Sequence, residues 1–189
     1  MSESSPLRTA LHRTLETQAR ERAATLGLDR YGIAALLYGT RTPTSEQAAE
    51  AQRYLDGGRS ILAPNGLALL TALGAAALEP VWGAARLPGP PTQRRRRPVR
   101  RPAQGLQAQL AAAATARLAE IERTTEQLGR PVFGPASTGK ALSATVTKYL
   151  RGRVSLLSAQ GVRLLEELGL ETLTVVWGAR PKSARTPAR

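Results

Sequence analysis

The sequence predicts a mainly α-helical protein made of two related helical modules, each closing on a short β-strand, joined by a linker rich in Arg and Pro. Three observations carry this. First, residues 54–84, "YLDGGRSILAPNGLALLTALGAAALEPVWGA", lie without a gap over residues 149–179, "YLRGRVSLLSAQGVRLLEELGLETLTVVWGA", with fifteen of 31 positions identical, where average residue frequencies would give about two. Second, Leu and Ala recur at three- and four-residue spacing upstream of each copy, the rhythm of an amphipathic helix. Third, "RLPGPPTQRRRRPVRRPAQG" separates the copies, and its prolines and mutually repelling arginines suit neither a helix nor a core. The expected organisation is a first repeat over 1–85, a basic linker over 86–105, a second repeat over 106–182 and a basic tail over 183–189. Two repeats are too few for a solenoid. They suit a pseudo-twofold pair, a monomer imitating a dimer or a homodimer.

In the first repeat, Ser5 is the expected N-cap and Pro6 the first helical residue; Leu7, Leu11, Leu15, Ala19, Ala23 and Leu26 then follow in helical rhythm. The second repeat opens with Leu106, Leu110, Ala114, Leu118, Ile121, Thr125 and Leu128 as one helix. Each opening helix is expected to end at a Gly. "LGLDRYG" (26–32) and "LGRPVFG" (128–134) align at an offset of 102 rather than 95, which gives the first repeat seven additional residues. A last helix is expected over 65–73 and 159–168, stopped by Gly74 and Gly169. "ALEPVWG" and "TLTVVWG" then read as strands, Pro80 restricting the first to an edge. The two strands can pair with each other.

A chain of 189 residues can bury one moderate core or two small ones. It has no Cys and one His, which excludes thiol nucleophiles, disulfides and Cys/His zinc sites. His12 has no expected acidic partner, and Glu166 and Glu167 are adjacent rather than opposed. No catalytic, cofactor or metal constellation stands out, so an enzyme is not expected. Residues 61–78 carry no charge, but Pro64, Asn65, Gly66 and Gly74 interrupt them and the matching later segment contains Arg163, Glu166 and Glu167. No membrane span is expected. The opening residues lack a basic-then-apolar pattern, which predicts a cytoplasmic location, nucleoid-associated on the expectation of a polyanionic partner such as DNA.

The net charge of +13 is unevenly placed: residues 1–85 are balanced, 86–105 carry +7 with no acid, and 106–189 carry +6. Such a field suits a polyanion. Arg94, Arg95, Arg96, Arg97, Arg100 and Arg101 are candidates for an arm that follows a DNA groove or its phosphates; a solvated linker is the alternative.

"GPASTGK", residues 134–140, has the spacing of a phosphate loop, but Ala141 stands where that motif needs Ser or Thr. A P-loop-like nucleotide enzyme is therefore an alternative whose confirming context is a strand before the loop. The residues that follow are more informative. "SATVTKYLRGRVSLLSAQGVRLLEELGL", 143–170, resembles the second half of a Cro-like or lambda-repressor-like helix-turn-helix domain, with a recognition helix of the form T-V-x-K-Y-L ending at a Gly. The resemblance implies duplex-DNA binding. Val146 and Leu150 would hold the helix on the core, while Ser143, Thr145, Thr147 and Lys148 face outward, Arg151 and Arg153 sit at its end, and Lys140 lies near its start. "YGIAALLYGTRTPTSEQAAEAQRYL", 31–55, resembles the same family's recognition helix and turn, with Arg41, Thr42 and Thr44 as candidate contacts and Thr44 as an N-cap. The two matches occupy different places in the repeat, so they cannot both mark the recognition helix unless the copies have diverged in use.

The function expected is duplex-DNA binding by a bacterial or phage transcriptional regulator without cofactor. An architectural protein that compacts DNA with little sequence preference is the alternative, and the near-neutral first repeat could contact protein instead.

Overall fold

The computed structural model describes residues 5–87, 105–134 and 138–179. Along them run α1 (Pro6–Thr25), α2 (Arg30–Tyr38), α3 (Ser45–Leu55), α4 (Pro64–Ala72), β1 (Ala75–Trp82), α5 (Leu106–Glu120), α6 (Thr125–Phe133), α7 (Gly139–Leu150), α8 (Ala159–Glu167) and β2 (Leu170–Trp177). The protein is mainly helical, and β1 and β2 form a two-stranded sheet. The described residues fall into two compact units. One, the α1–α4 unit, holds residues 10–77 and 174–179; the other, the α5–α8 unit, holds residues 5–9, 78–87, 105–134 and 138–173.

In the α1–α4 unit, Leu11, Leu15, Ala19 and Ala23 recur every four residues and are buried. Each fully buried leucine contributes about 1.5–3 kcal/mol. α2 starts at Asp29, whose carboxylate accepts the Gly32 N–H at 2.7 Å. It ends at Gly39, whose φ of +64° closes the helix without Cβ strain. α3 starts in a capping box, Thr44 and Gln47 satisfying each other's backbone N–H groups. α2 packs on both α3 and α4. The Arg22 guanidinium donates to the Leu73 carbonyl at 3.3 Å and the Gly178 carbonyl at 3.2 Å, and lies 5.4 Å from the centre of the Trp177 ring. Gly178 donates its N–H to the Gly74 carbonyl at 2.8 Å, closing one end of the antiparallel ladder.

The α5–α8 unit buries Leu106, Leu110, Ala114 and Leu118 of α5. α6 starts in a second capping box, Thr124 with Gln127. It packs on α7 and α8, and α5 packs on α7. Arg117, 95 residues after Arg22, donates to the Leu168 carbonyl at 3.3 Å and the Gly83 carbonyl at 2.6 Å. Both arginines thus cap the C-terminus of a last helix, where cations also oppose the helix dipole. Gly83 donates its N–H to the Gly169 carbonyl at 2.7 Å, the other end of the ladder.

Three sequence expectations are corrected and one is sharpened. The opening helix of the second repeat is two helices, because Glu122 turns the chain at φ +53° and Thr124 caps a new start. The offset of 102 does not hold: α2 and α6 span residues 95 apart, as do their caps at Asp29 and Thr124 and at Gly39 and Gly134. Ser5 does stand at the N-cap place, its carbonyl accepting the Thr9 N–H at 3.2 Å, but its hydroxyl donates to the Glu166 carboxylate. His12 does have an acidic partner, its Nδ1 lying 2.9 Å from Oε1 of the buried Glu16, one helical turn on. The basic linker positions 94–101 and the tail 183–189 lie outside the described residues. No described helix is long and apolar enough to cross a membrane.

Gly66 and Gly161 hold the starts of α4 and α8 against the turns before them. An added Cβ would lie 2.4 Å from Ile61 backbone atoms at the first and 2.5 Å from Leu156 backbone atoms at the second. In an open helix, Gly→Ala stabilises by about 1 kcal/mol. Here the clash is with backbone and should win. Gly161→Ala is expected to destabilise by about 1–3 kcal/mol in urea denaturation, while Gly58→Ala, whose Cβ would meet nothing closer than 3.5 Å, should change stability by less than about 0.5 kcal/mol.

Candidate nucleic-acid interface

α7 starts at Thr138, whose side-chain oxygen accepts the Ala141 N–H at 3.4 Å. Its apolar residues Leu142, Val146, Tyr149 and Leu150 are buried, and their spacing puts them on one face. α6 approaches closely at that face, since a Cβ on Gly129 would lie 2.8 Å from Val146 Cγ2. The other face is therefore left to solvent. Lys140, Ser143, Ala144, Thr147 and Lys148 line an open groove of about 400 Å³ together with Arg151 and Arg153 from the turn that follows. Arg151 is the C-cap residue, and the left-handed Gly152, φ +69°, reverses the chain so that the Arg153 N–H donates to the Lys148 carbonyl at 2.9 Å.

The four cations of this groove are exposed, and none of them has an ion pair among the described residues. The sequence places no acidic residue between Glu126 and Glu166. No acid lines the groove; the nearby Glu126, at the start of α7, is paired with Arg130 at 2.8 Å. A cation at a helix C-terminus is also favoured by the dipole, and Lys148 and Arg151 stand at that end of α7.

The hydroxyls behave differently from expectation. Ser143 was expected to face outward, yet its hydroxyl lies 2.5 Å from that of the buried Thr125 on α6. Thr147 donates its hydroxyl proton to the Ser143 carbonyl at 2.6 Å, one turn back. Thr145 is half-buried and is not among the groove residues. The reason is helical geometry: 140, 144, 147, 148 and 151 share a stripe that 145 leaves. Thr125 was missed as a polar anchor because its spacing after Ile121 reads as apolar rhythm; the T-x-x-Q capping box at Thr124 was the available signal of a helix start there.

Arg41, Thr42 and Thr44 lie in the turn between α2 and α3 of the other unit, exposed to solvent. Thr44 accepts the Gln47 N–H at 3.2 Å, so its oxygen already serves as a cap. The helix 95 residues before α7 is α3, not α2, which the second sequence match takes as its recognition helix. α3 has its own groove of about 420 Å³, lined by Tyr38, Glu46, Gln47, Ala49, Glu50, Arg53 and Arg59. There Glu50 pairs with Arg53 at 3.3 Å and with Arg59 at 3.2 Å. Burial, then the charges of Glu50 and Glu46 with the neighbouring Tyr54, raises the Tyr38 hydroxyl above its usual range. The α3 face is mixed in charge where the α7 face is purely basic.

No family model, curated protein or solved structure matches this chain.

The phosphate-loop alternative lacks its context. The residues before Gly134 form α6, not a strand. Moreover, the Glu126 carboxylate sits where a Cβ on Gly139 would be, 2.7 Å away, so a negative group already faces the start of α7. Residues 135–137 of that loop lie outside the described residues. Among the described residues, no three His, Cys, Asp or Glu side chains cluster as a metal site would need.

The Thr125–Ser143 contact can be tested by a double-mutant cycle. Thr125→Val and Ser143→Ala are each expected to cost about 1–3 kcal/mol, because each removes the hydrogen bond between the two hydroxyls. The double variant should cost less than the sum by about 1 kcal/mol in urea denaturation. Strict additivity would show that the two hydroxyls do not bond.

Proposed function

We propose that this chain binds duplex DNA as a bacterial or phage transcriptional regulator, through two helix-turn-helix-like modules related by the internal repeat, with α7 in the major groove. The observation that carries the reading is the acid-free groove along α7, with Lys140, Lys148, Arg151 and Arg153 all directed to one side. A 12-residue helix is about 18 Å long, and the major groove, about 12 Å wide, admits such an element. α6 packs on α7 and precedes it in the chain, as the first helix of such a motif precedes the second. Support for related modules comes from the helices and caps that recur 95 residues apart, in the order four helices then a strand. Arg94–Arg97, Arg100 and Arg101 would add phosphate contacts from the linker, independent of sequence.

One observation favours a second reading. The hydroxyls of Ser143 and Thr147 are spent on internal hydrogen bonds, so the groove offers mainly long cations, which suit phosphates more than base edges. An architectural protein with little sequence preference would use such a surface. Competition by random duplex separates the two readings, since a regulator prefers its site by about 10³-fold or more.

Fluorescence anisotropy with a labelled duplex tests the α7 surface. Lys148→Ala and Arg151→Ala should each weaken binding and each reduce the magnitude of the log K against log salt slope by about 0.9. Replacing Arg94–Arg97 with Ala should flatten the slope further, by up to about 3.6, if all four arginines neutralise phosphates. Slopes equal to that of the unaltered chain would remove the substituted residues from the interface.

A further inference from the structure

We infer that the DNA-reading surface is one-sided: α7 takes a half-site and α3 does not, so the chain recognises an asymmetric duplex sequence rather than an inverted repeat. This rests on the DNA-binding reading above and adds to it the kind of site bound.

The argument compares matching positions. α3 and α7 end 95 residues apart, at Leu55 and Leu150, and the tyrosine before each is buried. The residues 95 positions before Lys140, Lys148, Arg151 and Arg153 are Ser45, Arg53, Asp56 and Gly58. Three of the four cations are thus absent from α3 and its following turn, and at one place the sign is reversed. The surviving one, Arg53, is held by Glu50 at 3.3 Å. Acids have also been added: Glu46 stands at the place of Ala141 and Glu50 at that of Thr145. In the α3 groove Glu46 and Glu50 match Arg53 and Arg59 in number, so this face offers phosphates no net attraction, unlike that of α7. A protein that reads an inverted repeat needs the same chemistry on both recognition helices, because the two half-sites present the same groups about one helical turn apart. That equality is missing here.

The test is a selection by the full chain from a random-sequence duplex library, followed by affinity measurements on the selected duplex. The expected consensus is one contiguous block with no inverted copy 10–10.5 base pairs away. On that duplex, Lys148→Ala should weaken binding about fivefold or more, Arg53→Ala should stay within about twofold, and Glu46→Gln with Glu50→Gln should not weaken it, as expected if only α7 makes phosphate contacts. An inverted repeat in the consensus, or an Arg53→Ala loss equal to that of Lys148→Ala, overturns the inference while leaving DNA binding standing. Binding with no selected block also overturns it, in favour of the architectural reading. Failure of the unaltered chain to bind any duplex at low salt overturns the DNA reading and this inference with it.

Discussion

The close contact of α6 with α7 at Gly129 is the constraint on which the candidate interface depends. With no side chain at 129, Val146 can approach to within reach of the α6 backbone, and this fixes which way α7 is turned. Once Leu142, Val146, Tyr149 and Leu150 are buried, the 3.6-residue period leaves Lys140, Ala144 and Lys148 no choice but the opposite face. The buried hydroxyl pair of Thr125 and Ser143 adds a directional bond to the apolar contact. A dispersion contact can slide, whereas a buried hydrogen bond resists rotation of the helix about its axis. The charged face is thus a consequence of the packed one. In the α1–α4 unit the matching small residue is Ala34, fully buried on α2.

A second device recurs within each unit. Arg22 and Arg117 each satisfy the carbonyl at the end of a last helix and a glycine carbonyl at a strand end. Those carbonyls are among the groups a helix terminus leaves unpaired, and a charged donor satisfies them more strongly than a neutral one. The guanidinium has five donors in a plane, which lets one side chain serve two acceptors and, at Arg117, also the Glu120 carboxylate at 3.0 Å. A lysine at either place could not hold the same geometry.

The helical class, the last helices and the strands were legible because their signals are local: Leu spacing, Gly74 and Gly169 as stops, and β-branched residues around the tryptophans. The extent of the opening helices was not. Ile121, Thr125 and Leu128 continue the rhythm of α5 by chance, and only Glu122, a residue rarely left-handed, breaks it. The register error has the same origin, since "LGLDRYG" and "LGRPVFG" share letters while the first covers the turn from α1 into α2 and the second the latter half of α6 with its C-cap. The outward face of Lys148 and the place of Arg151 and Arg153 just beyond the helix end were legible, because periodicity and the Gly152 stop are local signals; that Lys140 shares their groove was not. The inward bond of Ser143 was not legible, because a short hydroxyl side chain can bond inward or outward and the choice is made by a partner distant in sequence, Thr125, while Thr145 leaves the stripe that the groove residues share. The charge contrast between α3 and α7 was present in the letters, but it became readable only when the two helices were placed at matching positions.

The central claim is that the basic face of α7 is a nucleic-acid-binding surface created by packing its apolar face on α6. Backbone amide chemical-shift mapping of the full chain, titrated with duplex DNA at low salt, tests it most directly. The account predicts shifts concentrated on residues 138–153, with α3 residues 45–55 little moved and the shifts reversed by added salt. Saturating perturbation of α3 with α7 unmoved, or no perturbation of either helix, would contradict it.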